Sequence, residues 1–253
     1  MRTLLVCSES TRKFLPGYDR VRIVTSAPTK DILNEVGTED DVVAIGGGAV
    51  IDTAKILSKN PIICYPTTAS GSSSTSWSVY WDGDKKCSLK RMLPKDVILN
   101  GLFVEKLPVD IIMSTTCDVV SHCLDSMSSI NATEESIGYC KKALEILRNE
   151  KNNFGLIKAG DIAGKAIEIA GTNLLHSLSY PLTGHYNISH GIALGYLLPR
   201  LSKFMGFDVD DILGEYKIYL EFDKRFVIKE AFKYEKIYEF NKDISEEILY
   251  EKL

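Results

Sequence analysis

The stretch that most constrains the fold is the apolar run Asp41-Val42-Val43-Ala44-Ile45, closed by Gly46-Gly47-Gly48 and continued by residues 49–57. The run does not alternate, as expected of a strand buried on both faces of a parallel sheet. From Ala49 the spacing of Ile51, Ala54 and Ile56-Leu57 is helical. Strand, glycine turn and helix in that order aim backbone N–H groups and a helix N-terminus at an anion. Glycines there let the backbone approach a phosphate with no Cβ between them. The triplet alone is a weak signal, since a plain tight turn explains it about as often.

The surroundings add weight. Leu4–Cys7 and residues 22–25 read as short strands, residues 32–36 as a short helix, and residues 61–65 as a further strand. That last strand leads into the hydroxyl-rich loop 66–76. A flexible linker would have a similar composition, but the loop stands at a strand end, where open α/β sheets bind ligands. Residues 79–81 and 85–88 read as a hairpin with Asp82-Gly83 as its turn, and residues 97–99 as a last strand. The character changes at Leu107-Pro108. Val109–Met127, residues 134–150 (Ile137, Leu144 and Leu147 inward), residues 157–178 and residues 190–198, closed by Pro199, all read as helices. This predicts an α/β domain over 1–106, a helical domain over 107–253, and a cleft between them. The tail from Phe207, with apolar residues at helical spacing around Ile212, Leu213, Tyr216 and Tyr219, reads as packing helices without chemistry. It closes on a capped helix near Ser245-Glu246-Glu247.

Chemistry concentrates in the histidines, of which the chain has only four. Asp118 and His122 stand four apart in a predicted helix and so share a face. His176 and His190 lie at the end of one predicted helix and the start of another, joined by a segment able to turn. One carboxylate and three imidazoles form a ligand set suited to zinc or divalent iron. Singly, each histidine is more often a satisfied core residue, and Asp118 with His122 an ordinary helix pair. The conjunction favours a metal site, and hence an enzyme. His185 is expected outside the ligand set.

The composition fits an ordinary soluble protein, 45% hydrophobic and 25% charged, with a formal charge of −4. No basic or aromatic-basic stripe argues for nucleic acid. The opening apolar run, residues 4–7, is too brief for a signal core or a membrane span, so a cytoplasmic location is expected. Six cysteines without a C-x-x-C pair read as buried free thiols.

The chain resembles the iron-containing (group III) alcohol dehydrogenases, which are related to glycerol dehydrogenases and dehydroquinate synthase. The matching stretches are Gly46 to Lys55, Pro66-Thr67-Thr68-Ala69, Asp118-x-x-x-His122, and His176 with His190-Gly191. The resemblance implies a dehydroquinate synthase-like fold: an α/β nucleotide-binding domain followed by an all-α metal-binding domain. It implies iron or zinc held by Asp118, His122, His176 and His190. It also implies NAD or NADP with its pyrophosphate at Gly46, Gly47 and Gly48, and with Asp52, Thr67, Thr68 and Lys86 nearby. Oligomerisation is implied too, although no apolar interface can be read along the chain. Tyr180-Pro181-Leu182-Thr183 and Lys86-Cys87-Ser88 resemble the phosphonoacetaldehyde reductase branch.

Several positions depart from the family pattern. The chain is short before the glycine turn and after His190, Ser189 replaces a usual proline, and Asn100-Gly101 replaces Asp-Pro. The serine-rich loop has its own wording. Tyr180 stands where several members carry another histidine, which makes it a proton-relay candidate. The expected activity is hydride transfer between a nicotinamide and a small alcohol or aldehyde held at the metal. A sugar-phosphate cyclase and a non-catalytic binding relic remain the alternatives.

Overall fold

The computed structural model describes residues 3–214 and 218–253. Five parallel strands form the main sheet: β1 (Leu4–Cys7), β2 (Arg20–Ile23), β3 (Val42–Gly46), β4 (Ile63–Pro66) and β7 (Asp96–Val97), in the order β2-β1-β3-β4-β7. Every residue of β1 and β3 is buried, because each strand is covered on both faces. Leu4, Val6, Val42 and Ala44 pack toward Ile51 and Ala54 of helix α1 (Gly48–Leu57). Their neighbours Leu5, Cys7, Val43 and Ile45 face Phe14, Tyr65 and Phe103 on the other side. This two-residue period of the pleat serves two apolar clusters from one continuous run.

Strands β5 (Trp77–Asp82) and β6 (Lys85–Lys90) form a separate antiparallel hairpin. Its closing pair is Asp82 with Lys85, so the turn is Gly83-Asp84 rather than the expected Asp82-Gly83. Gly83 has φ +57, which a glycine adopts without the steric cost of a Cβ. β2 begins two residues before its expected position. The strand expected over 97–99 is the two-residue edge strand β7, of which Val97 alone was expected, and the 3-10 turn Gly101–Phe103 follows after residues 98–100.

Helix α2 (Val109–Met127) is the axis of the second half and packs on α3 (Glu134–Asn149), α4 (Asn153–Ala170), α5 (Leu174–Gly184) and α6 (His190–Met205). A Thr133/Ser136 capping box opens α3, and Asn152 caps α4. Leu144 of α3 is buried, whereas Ile137 and Leu147 are only half-buried.

The expected helix over 157–178 is two helices. Gly171, at φ +74, ends α4, and Asn173 starts α5 with its side chain accepting from the Leu174 N–H. His176 therefore lies in the first turn of a helix, not at the end of one. Pro199 does not close α6, which runs on to Met205. The stop is Gly206 at φ +98, with Phe207 N–H donating to the Ser202 carbonyl and Gly206 N–H to that of Lys203.

In the tail, α7 (Asp210–Leu213), α8 (Lys224–Ala231) and α9 (Glu246–Lys252) are short. Ser245 caps α9 as expected. Tyr219 is 83% exposed rather than packed, and Tyr216 lies outside the described residues. All six cysteines are free, five of them buried and Cys87 half-buried. No helix among the described residues is long and apolar enough to cross a membrane.

Candidate active site

The four expected ligands converge on one atom. Asp118 Oδ1 lies 3.4 Å from His122 Nε2, 3.4 Å from His176 Nε2 and 3.5 Å from His190 Nε2. One turn of α2 separates Asp118 from His122, while α5 and α6 each deliver a histidine from their first turn. The ligand atoms of Asp118, His176 and His190 all lie within 4.8 Å of one another. His122 approaches the same oxygen from outside that tighter group, its ring stacked on His176 at 4.8 Å and 8°.

These N···O separations exceed ordinary hydrogen-bond lengths. Each of the three is close to the edge of about 3.3–3.4 Å between ligands of a tetrahedral ion with bonds of about 2.0–2.1 Å, with Asp118, His176 and His190 as the mutually close group and His122 outside it. Asp118 Oδ1 and His176 Nε2, which face each other in the cluster, are buried without a hydrogen-bond partner among the described residues, whereas the unpartnered nitrogen of His122 is Nδ1, on the other side of its ring. Orphaned polar atoms aimed at a common point are what a cation would satisfy. The donor set and its geometry therefore fit a divalent metal.

The surroundings tune this cluster. Burial lowers His122 to about 4 despite the Asp118 carboxylate, and burial with the Lys86 ammonium lowers His190 to about 3. Both are thereby kept as neutral imidazoles, the form that ligates. His176 goes the other way: burial pulls it down, but Asp118 and Asp125 together lift it to about 9. Burial would raise Asp118, but the surrounding imidazoles hold it well below the usual carboxylate range.

Asp125, which sequence reasoning passed over, is fully buried. It accepts from His176 Nδ1 at 2.8 Å and from the backbone N–H groups of Asn173, Leu175 and His176. It therefore orients the imidazole and anchors the N-terminus of α5 at once. Its signal was present in the sequence: Asp118, His122 and Asp125 follow the i, i+4, i+7 rule of one helix face.

The cluster lies in a cleft of about 820 Å³ that also reaches Gly48, Ala49 and Asp52 at the start of α1. Gly47 is the N-cap of α1, and a Cβ there would meet Thr68 Oγ1 at 2.8 Å. Of the residues expected around a nucleotide, Gly48, Asp52 and Lys86 line the cleft; Gly46, Gly47, Thr67 and Thr68 do not, although Gly47 and Thr68 are half-buried beside it. Three of the five serine hydroxyls of the loop are taken by protein carboxylates: Ser72 donates to Asp52, Ser74 to Asp161, and Ser76 to Glu168. Ser70 Oγ is the buried exception, without a partner among the described residues.

The tail, read as having no chemistry, enters the cleft with Tyr234 and Lys236. Lys236 Nζ donates to Tyr180 Oη at 3.0 Å and to Thr172 Oγ1 at 3.1 Å. Burial opposes ionisation of Tyr180, but Lys236, Lys86 and His176 outweigh it and bring the phenol to about 7. The Tyr180 ring lies 6.2 Å from that of His190. No local pattern marks Lys236 in the sequence. Lys86 is held over the Tyr180 ring at 4.5 Å, and His185 is half-exposed, with no place in the cluster.

A parallel sheet with a glycine turn at its carboxyl edge, facing a carboxylate–imidazole cluster on a helical layer, defines the dehydroquinate synthase-like fold class. Residues 112–248 match the Fe-containing alcohol dehydrogenase family, C-terminal region, and residues 19–108 match an iron-containing alcohol dehydrogenase region. The first match covers more than half of the chain, and the chain belongs to the iron-containing alcohol dehydrogenase family. It is 29% identical over 204 residues to a 4-hydroxybutyrate dehydrogenase of Clostridium kluyveri, covering 64% of this chain and 54% of that protein. It is also 29% identical over 178 residues to maleylacetate reductase 1 of Cupriavidus pinatubonensis, covering 64% and 50%. The chain thus spans about half the length of these curated relatives. In structure it is similar to an iron containing alcohol dehydrogenase at 21% identity, with a TM-score of 0.83 over 100% of this chain and 90% of the other.

Proposed function

We propose that this chain is a metal-dependent, NAD(P)-linked alcohol dehydrogenase or aldehyde reductase. The observation that carries the reading is the meeting of three imidazole nitrogens on one buried Asp118 oxygen, in the cleft that the N-terminus of α1 also lines. Asp118, His122, His176 and His190 would hold iron or zinc. Gly46, Gly47 and Gly48 would take the pyrophosphate of the nucleotide, with Asp52, Thr67 and Thr68 shaping that end of the cleft. When bound, the ion would supply Lewis-acid polarisation of a substrate oxygen and the nicotinamide would supply or accept hydride.

The chain's own residues do the rest. Asp125 fixes the His176 ring, and burial of Asp118, His122 and His176 strengthens the electrostatics between them. Tyr180 Oη, held by Lys236, is the group that gives a proton to the substrate oxygen in reduction and takes it back in oxidation. A phenol brought to about 7 carries out both directions near neutral pH.

The division at 106/107 belongs to the same reading and is supported by the family matches, which end at 108 and begin at 112. A cytoplasmic, homo-oligomeric enzyme for small molecules, acting on neither nucleic acid nor membrane, completes it. The test is metal analysis of the purified protein, coupled to a nicotinamide-absorbance screen of small alcohols and aldehydes. His190→Ala should lose both bound metal and turnover. A metal-free, fully active variant would refute the mechanism. Net change at the nicotinamide band also separates this activity from a cyclase, which regenerates its cofactor.

A further inference from the structure

The wall of the cleft beside the metal cluster carries two lysines, of which the proposed proton transfer uses one, Lys236. Lys86, from β6, places its ammonium 4.5 Å from the centre of the Tyr180 ring, and Lys236, from the tail, places its own at 5.1 Å. Two distant segments thus bring two charges to one patch, adjoining a ring that itself neighbours His176 and His190. Among the described residues no carboxylate lies within 4.0 Å of either ammonium. Lys86 Nζ makes no hydrogen bond to them. Lys236 uses two of its three donors on Tyr180 and Thr172 and keeps one free.

The acidic side chains nearby are otherwise engaged. Asp118 faces the imidazoles, Asp125 holds His176, and Glu239 and Asp125 act on Lys236 only from a distance. The other lysine of this part of the tail, Lys233, is paired with Glu230. Ionised Tyr180 can balance one of these charges, that of Lys236; the second ammonium, Lys86, has no anionic partner, which in a partly enclosed cleft is electrostatically unfavourable unless a further anion completes the site.

We propose that Lys86 and Lys236 form an anion subsite for the substrate: they bind the carboxylate, phosphonate or sulfonate of a short aldehyde, or of its alcohol, whose carbonyl end reaches the metal cluster. The proposal rests on the oxidoreductase reading above and names its substrate class. Charge-assisted hydrogen bonds from two lysines hold the far end of the molecule and orient the near end. A neutral aldehyde of the same length leaves the Lys86 charge unpaired.

The experiment compares succinic semialdehyde with butanal, which have the same number of carbons, and adds phosphonoacetaldehyde and sulfoacetaldehyde to distinguish the acids. Rates are read by nicotinamide absorbance with the metal-loaded enzyme. At least one anionic aldehyde should exceed butanal in kcat/KM by tenfold or more. In Lys86→Gln that ratio should fall at least tenfold, through the KM of the anionic aldehyde, and Lys86→Arg should restore most of it. Equal kcat/KM for butanal and every anionic aldehyde overturns the subsite. So does a Lys86→Gln variant whose nucleotide KM rises while its preference among aldehydes is kept, because Lys86 would then serve the nucleotide. Absence of turnover with all four aldehydes defeats the oxidoreductase reading, and the subsite is then judged by titration calorimetry with 4-hydroxybutyrate and with methylphosphonate. Binding of either by the wild type but not by Lys86→Gln supports it; binding of neither, or equal binding by both proteins, overturns it.

Discussion

Alanine at Gly191 perturbs the metal cluster without removing any of its ligands. Gly191 follows His190 in the first turn of α6, where that helix crosses α2 at Ser114. A Cβ there would stand 2.5 Å from the Ser114 carbonyl oxygen and 2.6 Å from Ser114 Cα, and would overlap Ser114 Oγ. The hydroxyl can rotate away, but the backbone of α2 cannot. Restoring van der Waals distances of about 3.4 Å or more requires α6 to retreat by about 0.8 Å. His190 moves with it, and its Nε2, now 3.5 Å from Asp118 Oδ1, passes beyond 4 Å.

Metal sites tolerate about 0.2 Å of error in a ligand distance, so the ion loses His190 while all four ligands remain in the sequence. Affinity should fall about 100-fold or more, since loss even of an outer partner costs about 10–100-fold. The overpacking itself should cost about 1–3 kcal/mol of stability. Chelator competition for Zn²⁺ reads the affinity, and melting in EDTA reads the metal-free stability separately. Gly138→Ala is the control: it lies on the exposed face of α3 with nothing within 4 Å of the new Cβ, and should stabilise by about 0.5–1 kcal/mol with unchanged metal affinity. If Gly191→Ala keeps wild-type zinc affinity, the α2–α6 contact does not set the ligand geometry and the reasoning fails.

Asp125→Asn keeps the shape of the side chain but removes the charge that faces His176 and the start of α5. Metal affinity should drop about 10–100-fold with a clear loss of melting temperature, and an unchanged metal content after dialysis against chelator would contradict the orienting role. Tyr180→Phe should lower kcat by about 10²–10⁴-fold while retaining metal and leaving aldehyde KM little changed. If single-turnover hydride transfer and kcat match the wild type, the proton travels by another route.

The convergence of Asp118 with three histidines was legible because histidine is scarce in this chain and because a helix puts residues four apart on one face. Asp118 and His122 needed only the pitch of α2; His176 and His190 needed a fold that brought two helix starts together, and the glycine and turn residues before them carried that. Asp125 continued the same face, but a single carboxylate among 34 acidic residues does not stand out until a partner is visible. The break at Gly171 had its local signals, a glycine and a capping asparagine, which were overridden by the Ala- and Ile-rich periodicity on either side. Pro199 misled in the opposite sense: a proline lowers helical stability but does not prevent a buried helix from continuing to the glycine that ends it. Lys236 had no signal, because its role comes from a tail that returns to the cleft across tertiary contacts no spacing rule encodes.

The serine-rich loop illustrates the same limit and also explains why the cleft has a fixed width. Its composition suggested either a linker or a set of free hydroxyls for a ligand; instead it is gripped from both sides. Lys55 of α1 donates to the carbonyls of Ser72, Thr75 and Trp77, while Asp161 and Glu168 of α4 take the hydroxyls of Ser74 and Ser76. Gly160 and Gly164 of α4 allow the approach: a Cβ on the first would lie 2.7 Å from Ala69 Cα, and on the second 2.5 Å from the Gly71 carbonyl oxygen. The loop thereby ties the helix that begins at the glycine turn to the helix that packs on α2. For a nucleotide anchored at the glycine turn whose nicotinamide must meet a substrate at the cluster, that spacing would set the contact between them, and a misplacement of about 1 Å costs about 10²-fold in rate. The hydroxyls that look like binding groups in the sequence serve instead to fasten α1 and α4 to one loop.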